Sequence, residues 1–165
     1  MTSRNENLPT SVTWGLLAAW TLHDAEELLT MAKFSRDNKR WLPEVDQAHV
    51  TTAIGLMGAV IATASAAGAR TGGRSALFQT VLTGFGLHSL THLAQSALLR
   101  RYTPGVITAP LIVAPFSLWA LKLLRDNGIP LRTRASSFLW FPVALGSVHG
   151  AAAVITKAVR AWRRG

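Results

Sequence analysis

Four ionisable side chains fall within five consecutive residues, His23-Asp24-Ala25-Glu26-Glu27. Two imidazoles follow at helical spacing, His88 and His92, and His49 and His149 complete the histidines of the chain. Imidazole and carboxylate together suit zinc or non-haem iron. A His pair at i and i+4 can hold one ion from a single helix face. His23 with Glu26 or Glu27 offers ligands from a second helix, and His149 from a third. The expected metal ligands are His23, Glu27, His88, His92 and His149. On zinc, three histidines could bind while Glu26 or Glu27 serves as general base on a water. On iron, the ligand number allows one or two ions. The chain has no cysteine, which excludes both a thiolate site and a disulfide framework.

Two other chemistries use the same residues. Without a metal, Glu26 or Glu27 could protonate an alkene, as a cyclase or isomerase requires. A non-enzymatic proton or metal transporter is the third. The absence of halves related by an inverted repeat speaks against it, unless the chain dimerises.

The acidic motif sits inside an apolar segment that begins near Ser11 and resumes with Leu28, Leu29 and Met31. With about 100° per residue on a helix, His23, Glu26 and Glu27 share an arc of about 100°. Asp24 lies to one side of that arc and Ala25 faces away. A carboxylate at the centre of a membrane helix costs roughly 2.5 to 3.5 kcal/mol, so three together need protein or water around them.

Composition points to a membrane for these helices. Charged residues are 15 % of the 165 and apolar residues 49 %, against about 25 % charged in soluble domains. The net charge of +9 lies in short clusters between apolar runs. That pattern marks the ends of membrane helices rather than a nucleic-acid-binding stripe. Membrane lipid and a lipophilic small molecule are the expected partners, with no nucleic acid, and a homo-oligomer is compatible. The first residues show no secretory signal pattern.

The expected fold is all-α, one integral membrane bundle of five transmembrane helices over 1–165. Its spans are about 11–31, 49–69, 75–99, 106–124 and 136–159, each near the 20 or so residues that cross the hydrocarbon. Met1 to Pro9 is a polar tail, and Thr10 or Ser11 can cap the first helix. Lys33 to Gln47, with Trp41, Leu42 and Pro43, reads as an interfacial loop. In span two, Thr52, Gly55, Ala59, Ala62 and Ala66 form a small-residue face on which another helix can pack. Gly72 and Gly73 make a turn. In span three, His88, Thr91, His92 and Gln95 form one polar stripe. Tyr102-Thr103-Pro104-Gly105 is a second turn. Pro110 and Pro115 should kink span four.

Alternating spans place all five histidines in the half of the membrane that holds loop 33–47. That side carries ten Lys/Arg against seven on the other. The excess predicts that this side, with the C-terminus, is cytoplasmic and the N-terminus outside.

The motif His23-Asp24-Ala25-Glu26-Glu27, the His pair, and Tyr102-Thr103-Pro104-Gly105 resemble the HxxEE-domain family of small multi-pass bacterial membrane proteins. The likeness runs from about His23 to the fourth span. It implies that His23, Glu26 and Glu27 are the positions to watch, and it brings no activity with it. The reading favoured by the residues is a metal-dependent membrane enzyme acting on a lipid or isoprenoid, with Glu26 and Glu27 as catalytic candidates. An apolar bundle delivers such substrates, and polar groups inside one are otherwise too costly to keep.

Overall fold

The computed structural model describes residues 8–40, 43–132 and 137–165, with side chains in the last segment from Pro142 onward. The expectations for the tail before Leu8, for Trp41 and Leu42, and for Arg134 lie outside the described residues. Among the described residues the chain is all helical. Helix α1 is Thr10–Asp37, α2 Gln47–Arg70, α3 Ala76–Leu99, α4 Ala114–Asp126 and α5 Ser137–Trp162. A π-helical turn, Ala109–Val113, leads into α4.

Helix α1 opens directly behind Pro9, and neither Thr10 nor Ser11 caps it with a side chain. The Pro9 carbonyl accepts from Val12 N–H at 2.9 Å, so the restricted proline backbone starts the helix in place of the expected cap. The helix also runs past Met31 to Asp37, through residues expected in the loop. An i,i+4 pair, Lys33 with Asp37, supports this last turn. The Asn38 side chain donates to the Phe34 carbonyl at 2.8 Å and closes it. Ser35 Oγ then donates to the Val45 carbonyl and accepts from its N–H, at 3.0 and 3.1 Å, folding the loop back on α1.

Asp46 caps α2 by accepting from His49 N–H at 2.9 Å. Its carboxylate also receives Arg160 of α5. Ser75 caps α3, accepting from Phe78 N–H. Between them Gly72 and Gly73 take φ of 55° and 81°, values that glycine adopts at little cost. Buried Gln79 ties this turn to the segment after α4. Its amide donates to the Gly73 carbonyl at 2.9 Å and its oxygen accepts from Arg132 N–H at 2.6 Å.

The expected fourth helix, 106–124, is not a kinked α-helix. Pro115 has no N–H to give to the helical ladder, and Ala114 N–H reaches Ala109 O five residues back. The wider π turn accommodates both Pro110 and Pro115.

Helices α1, α2, α3 and α4 surround a core of Leu16, Trp20, Ile61, Phe78, Leu82 and Leu124, and α5 packs chiefly on α2. The small-residue face expected on α2 is not the packed one. Gly55 and Ala59 are exposed, and nothing lies within 4 Å of where a Cβ on Gly55 would stand. The buried face is Val50, Ala53, Ile61, Ala64, Ser65 and Gly68. Close approach occurs instead at Gly68, where a Cβ would sit 2.6 Å from the Phe78 ring.

Of the five expected spans, α2 and the stretch Pro142–Trp162 of α5 are long and apolar enough to cross a membrane. The others carry the polar residues that make the site, or, for α4, are short. Large apolar side chains nevertheless face outward on all of them, among them Leu29, Leu98, Leu111 and Leu118.

Gly68→Ala should lower the melting temperature in detergent by the equivalent of about 1–3 kcal/mol, the usual cost of overpacking. Gly55→Leu should leave it unchanged for the isolated chain. Equal shifts for the two variants would contradict the packing described.

Candidate metal centre

One turn of α1 and one turn of α3 face each other and bring His23, Glu27, His88 and His92 together. One donor atom from each lies within 4.8 Å of every other. His23 Nε2 is 3.2 Å from His92 Nε2, and His92 Nε2 is 2.8 Å from His88 Nε2. Glu27 Oε1 is 3.3 Å from His92 Nε2. His23 is fully buried and His92 nearly so.

The hydrogen bonds on the far side of each ring assign the protons. His92 Nδ1 lies 2.8 Å from the Pro104 carbonyl, which only accepts, so Nδ1 carries the proton. His23 Nδ1 lies 2.7 Å from Thr108 Oγ1. That hydroxyl gives its own proton to Glu26 Oε2 at 2.6 Å, so it accepts from His23. His88 Nδ1 lies 3.2 Å from Thr91 Oγ1, whose proton goes to the His88 carbonyl at 2.7 Å. All three rings are thereby Nδ1–H tautomers, and three Nε2 lone pairs point at one place beside a carboxylate.

Lone pairs at these separations repel unless a cation or an extra proton lies between them. Ligand atoms on a tetrahedral ion with bonds of about 2.0–2.1 Å stand about 3.3 Å apart, and octahedral neighbours about 2.9 Å. The donor set and spacings fit a metal ion, and the outward Nδ1–H bonds are those that orient metal-bound imidazoles.

Glu26 does not join this group, although it shares its helix face with His23. Both its oxygens are occupied by the turn after α3. Tyr102 OH donates to Oε1 at 2.8 Å and Ile107 N–H to Oε1 at 3.3 Å. Thr108 N–H and Oγ1–H donate to Oε2 at 2.9 and 2.6 Å. Partial burial raises the pKa of the Tyr102 phenol, which keeps its proton in place for Glu26. Gly105, at φ 82°, brings the turn against the rings. A Cβ there would stand 2.5 Å from the His92 ring and 2.8 Å from that of His23.

His149 is also not with the four. Helix α5 packs mainly on α2, so His149 meets His49: His149 Nδ1 is 3.0 Å from His49 Nε2 and the rings stack at 5.3 Å. Of the polar stripe on α3, His88 and His92 belong to the site, Thr91 serves it by holding His88, and Gln95 is exposed.

Beside the four residues lies a cavity of about 430 Å³ between α1, α2, α3 and α5. Glu27 and His88 line it, as do Asp24 and, further along, His149; Trp20, Ile54 and Val81 are among its apolar walls. Asp24 is buried and faces this cavity. Its position beside the arc of His23 and Glu27 was the signal for that, since the cavity adjoins that side. Thr108 and the backbone carbonyl of Pro104 have no sequence signal of their own.

A centre of three imidazoles and one carboxylate, closed from behind by a turn, belongs to helical proteins that can hold a metal within a bundle. The chain is a member of the HXXEE family: the model of that family, described as a protein of unknown function with HXXEE motif, matches residues 14–120. The matched segment contains all four candidate ligands and the turn that holds them, and it excludes His149. No match is found among curated proteins or among solved structures.

Thr108→Val removes the hydroxyl that joins Glu26 to His23 while keeping its size. Loss of such an outer partner typically lowers metal affinity by about 10–100-fold. Competition with a chromogenic chelator should show that drop. Unchanged affinity would separate the turn from the metal centre.

Proposed function

We propose that this protein is a membrane-embedded, metal-dependent enzyme acting on a lipophilic substrate, a lipid or isoprenoid. The observation that carries the reading is the set of three Nε2 lone pairs and one carboxylate oxygen converging at the end of an apolar cavity. His23, His88 and His92 would hold zinc or iron, each ring fixed by its Nδ1–H bond. The ion, when bound, supplies Lewis-acid polarisation of a substrate oxygen.

Glu27 lies between this centre and the cavity, and it is the group in place to take or return a proton of the substrate. Glu26 positions the turn. Four donors on its two oxygens leave it no place for a proton of its own, which removes it as the acid of a metal-free cyclase. The cavity walls are mostly apolar. Around this interior the outward-facing leucines suit lipid, and the reading takes all five helices as embedded, with Pro104, Thr108 and their neighbours satisfying the polar groups of α1 and α3. Irregular backbone at membrane depth is tolerated where protein buries it in this way.

Protein purified without chelator should contain zinc or iron at about one per chain by elemental analysis. His88→Ala and His92→Ala should each lower bound metal tenfold or more. Glu27→Gln should lose far less metal than the histidine variants. Metal loss as severe as theirs would make Glu27 a ligand and end its assignment as the base. A wild-type protein free of transition metal would overturn the reading.

The excess of Lys/Arg on the side of loop 33–47 supports a cytoplasmic C-terminus. A reporter fused after Gly165 should be active there, and a periplasmic or extracellular signal would reverse the orientation.

A further inference from the structure

The ionisable groups of α1 and α3 lie at one end of the cavity. Asp24 and Glu27 from α1 and His88 from α3 gather at the metal centre, while Ala76, Leu77 and Val60, with the neutral Thr80, lie toward the opposite end and His149 lines the α5 side. From Ala76 to His88 the lining follows α3 for about 18 Å, at 1.5 Å per residue. That is the shape for one long apolar chain with its head at the histidines. The charge of the lining is equally one-sided. Among the described residues that line the cavity there are two carboxyl groups and neither Lys nor Arg.

We infer that the substrate is a single-chain lipid whose head is an uncharged oxygen function, an alcohol or a carbonyl, and that anionic heads are refused. This rests on the metal reading above. Sites for carboxylates, phosphates and diphosphates use the fixed positive charge of Arg or Lys, or of a metal ion whose charge the protein leaves unmatched. Here the carboxylates of Asp24 and Glu27 would already match the charge of a divalent ion, and an anionic head would arrive with neither Lys nor Arg on the lining to receive it. Burying a charge without a partner is strongly unfavourable. A hydroxyl makes no such demand: its O–H can donate to a carboxylate oxygen and its lone pairs remain available. A carbonyl offers lone pairs alone and likewise brings no charge. The helix termini do not change this. The N-terminus of α2, nearest the His49–His149 pair, is already taken by the Asp46 side chain.

The buried Trp20 on the cavity wall provides the readout. Full-length protein supplied with zinc in detergent would be titrated with three probes: 9,10-dibromo-octadecan-1-ol, the corresponding octadecanoate, and the bromoalkane without a head. The bromines quench indole fluorescence at contact. The alcohol should quench at a concentration at least tenfold lower than either of the others. That advantage should vanish in Trp20→Phe, whose remaining tryptophans report only partition into the micelle. Equal or stronger quenching by the octadecanoate overturns the inference, and so does equal quenching by the bromoalkane. Zinc content measured on the same samples keeps the two readings apart. Alcohol selectivity without retained zinc would sink the metal and leave the cavity inference standing. Retained zinc with preference for the octadecanoate would do the reverse.

Discussion

The carboxylate of Glu26 is the constraint on which the centre depends. It is held by two backbone N–H groups, a phenol and a threonine hydroxyl, all from the segment between α3 and α4. Hydrogen bonds to a charged group contribute about 1.5–3 kcal/mol each when fully made, though not additively. Their combined effect is to fix a non-helical segment against the middle of α1. Because Thr108 spends its proton on Glu26, it can only accept from His23. Because the turn is held at that height, the Pro104 carbonyl meets His92. Two imidazoles on different helices are thus oriented by one acid that touches neither.

The same arrangement resolves the conflict between an apolar bundle and its polar interior. The Nδ1 atoms of His23, His88 and His92 have partners on the turn or on their own helix, with the Nε2 atoms and Glu27 directed at a common point. The His49–His149 pair is a separate solution to the same problem, two rings satisfying one another where α2 meets α5. The contrast is chemical. The pair brings two nitrogens to one point, whereas the centre brings three nitrogens and a carboxylate oxygen, a set that could hold a metal ion.

Much of the centre was legible because helix periodicity alone brings His23 and Glu27 to one face and His88 and His92 to another. The all-helical fold followed from apolar runs between turn residues. Sequence could not separate the two adjacent glutamates, since periodicity assigns both to one arc while their partners come from a segment some eighty positions away. It grouped His149 with the site by depth, but depth does not fix azimuth, and the packing of α5 on α2 decides it. The small residues of α2 misled for a related reason. A face of Gly and Ala can accept a neighbour without requiring one, and the large residues Val50 and Ile61 chose the buried side instead. The two prolines of the fourth segment were visible, but whether their missing N–H groups produce a kink or a π turn depends on what lies behind them.

The turn also explains why irregular backbone, rather than a helix, faces the imidazoles. Within a helix each carbonyl already accepts one ladder N–H, whereas the Pro104 carbonyl accepts from His92. Pro104 and Gly105 leave one carbonyl unspent and remove the side chain that would separate it from the rings, since only glycine combines φ 82° with a 2.5 Å approach to His92. The π turn that follows keeps Thr108 at the start of a helical segment, where its N–H is free to reach Glu26. The three features therefore act in one direction. The proline frees an acceptor, the glycine admits it, and the helix start supplies donors for the acid that holds both in place. The metal-facing side of the centre is left with acceptors only. On the cavity side the acids of α1 stand without Lys or Arg on the lining, and it is this asymmetry, donors behind and acceptors in front, that makes the centre a place for a cation.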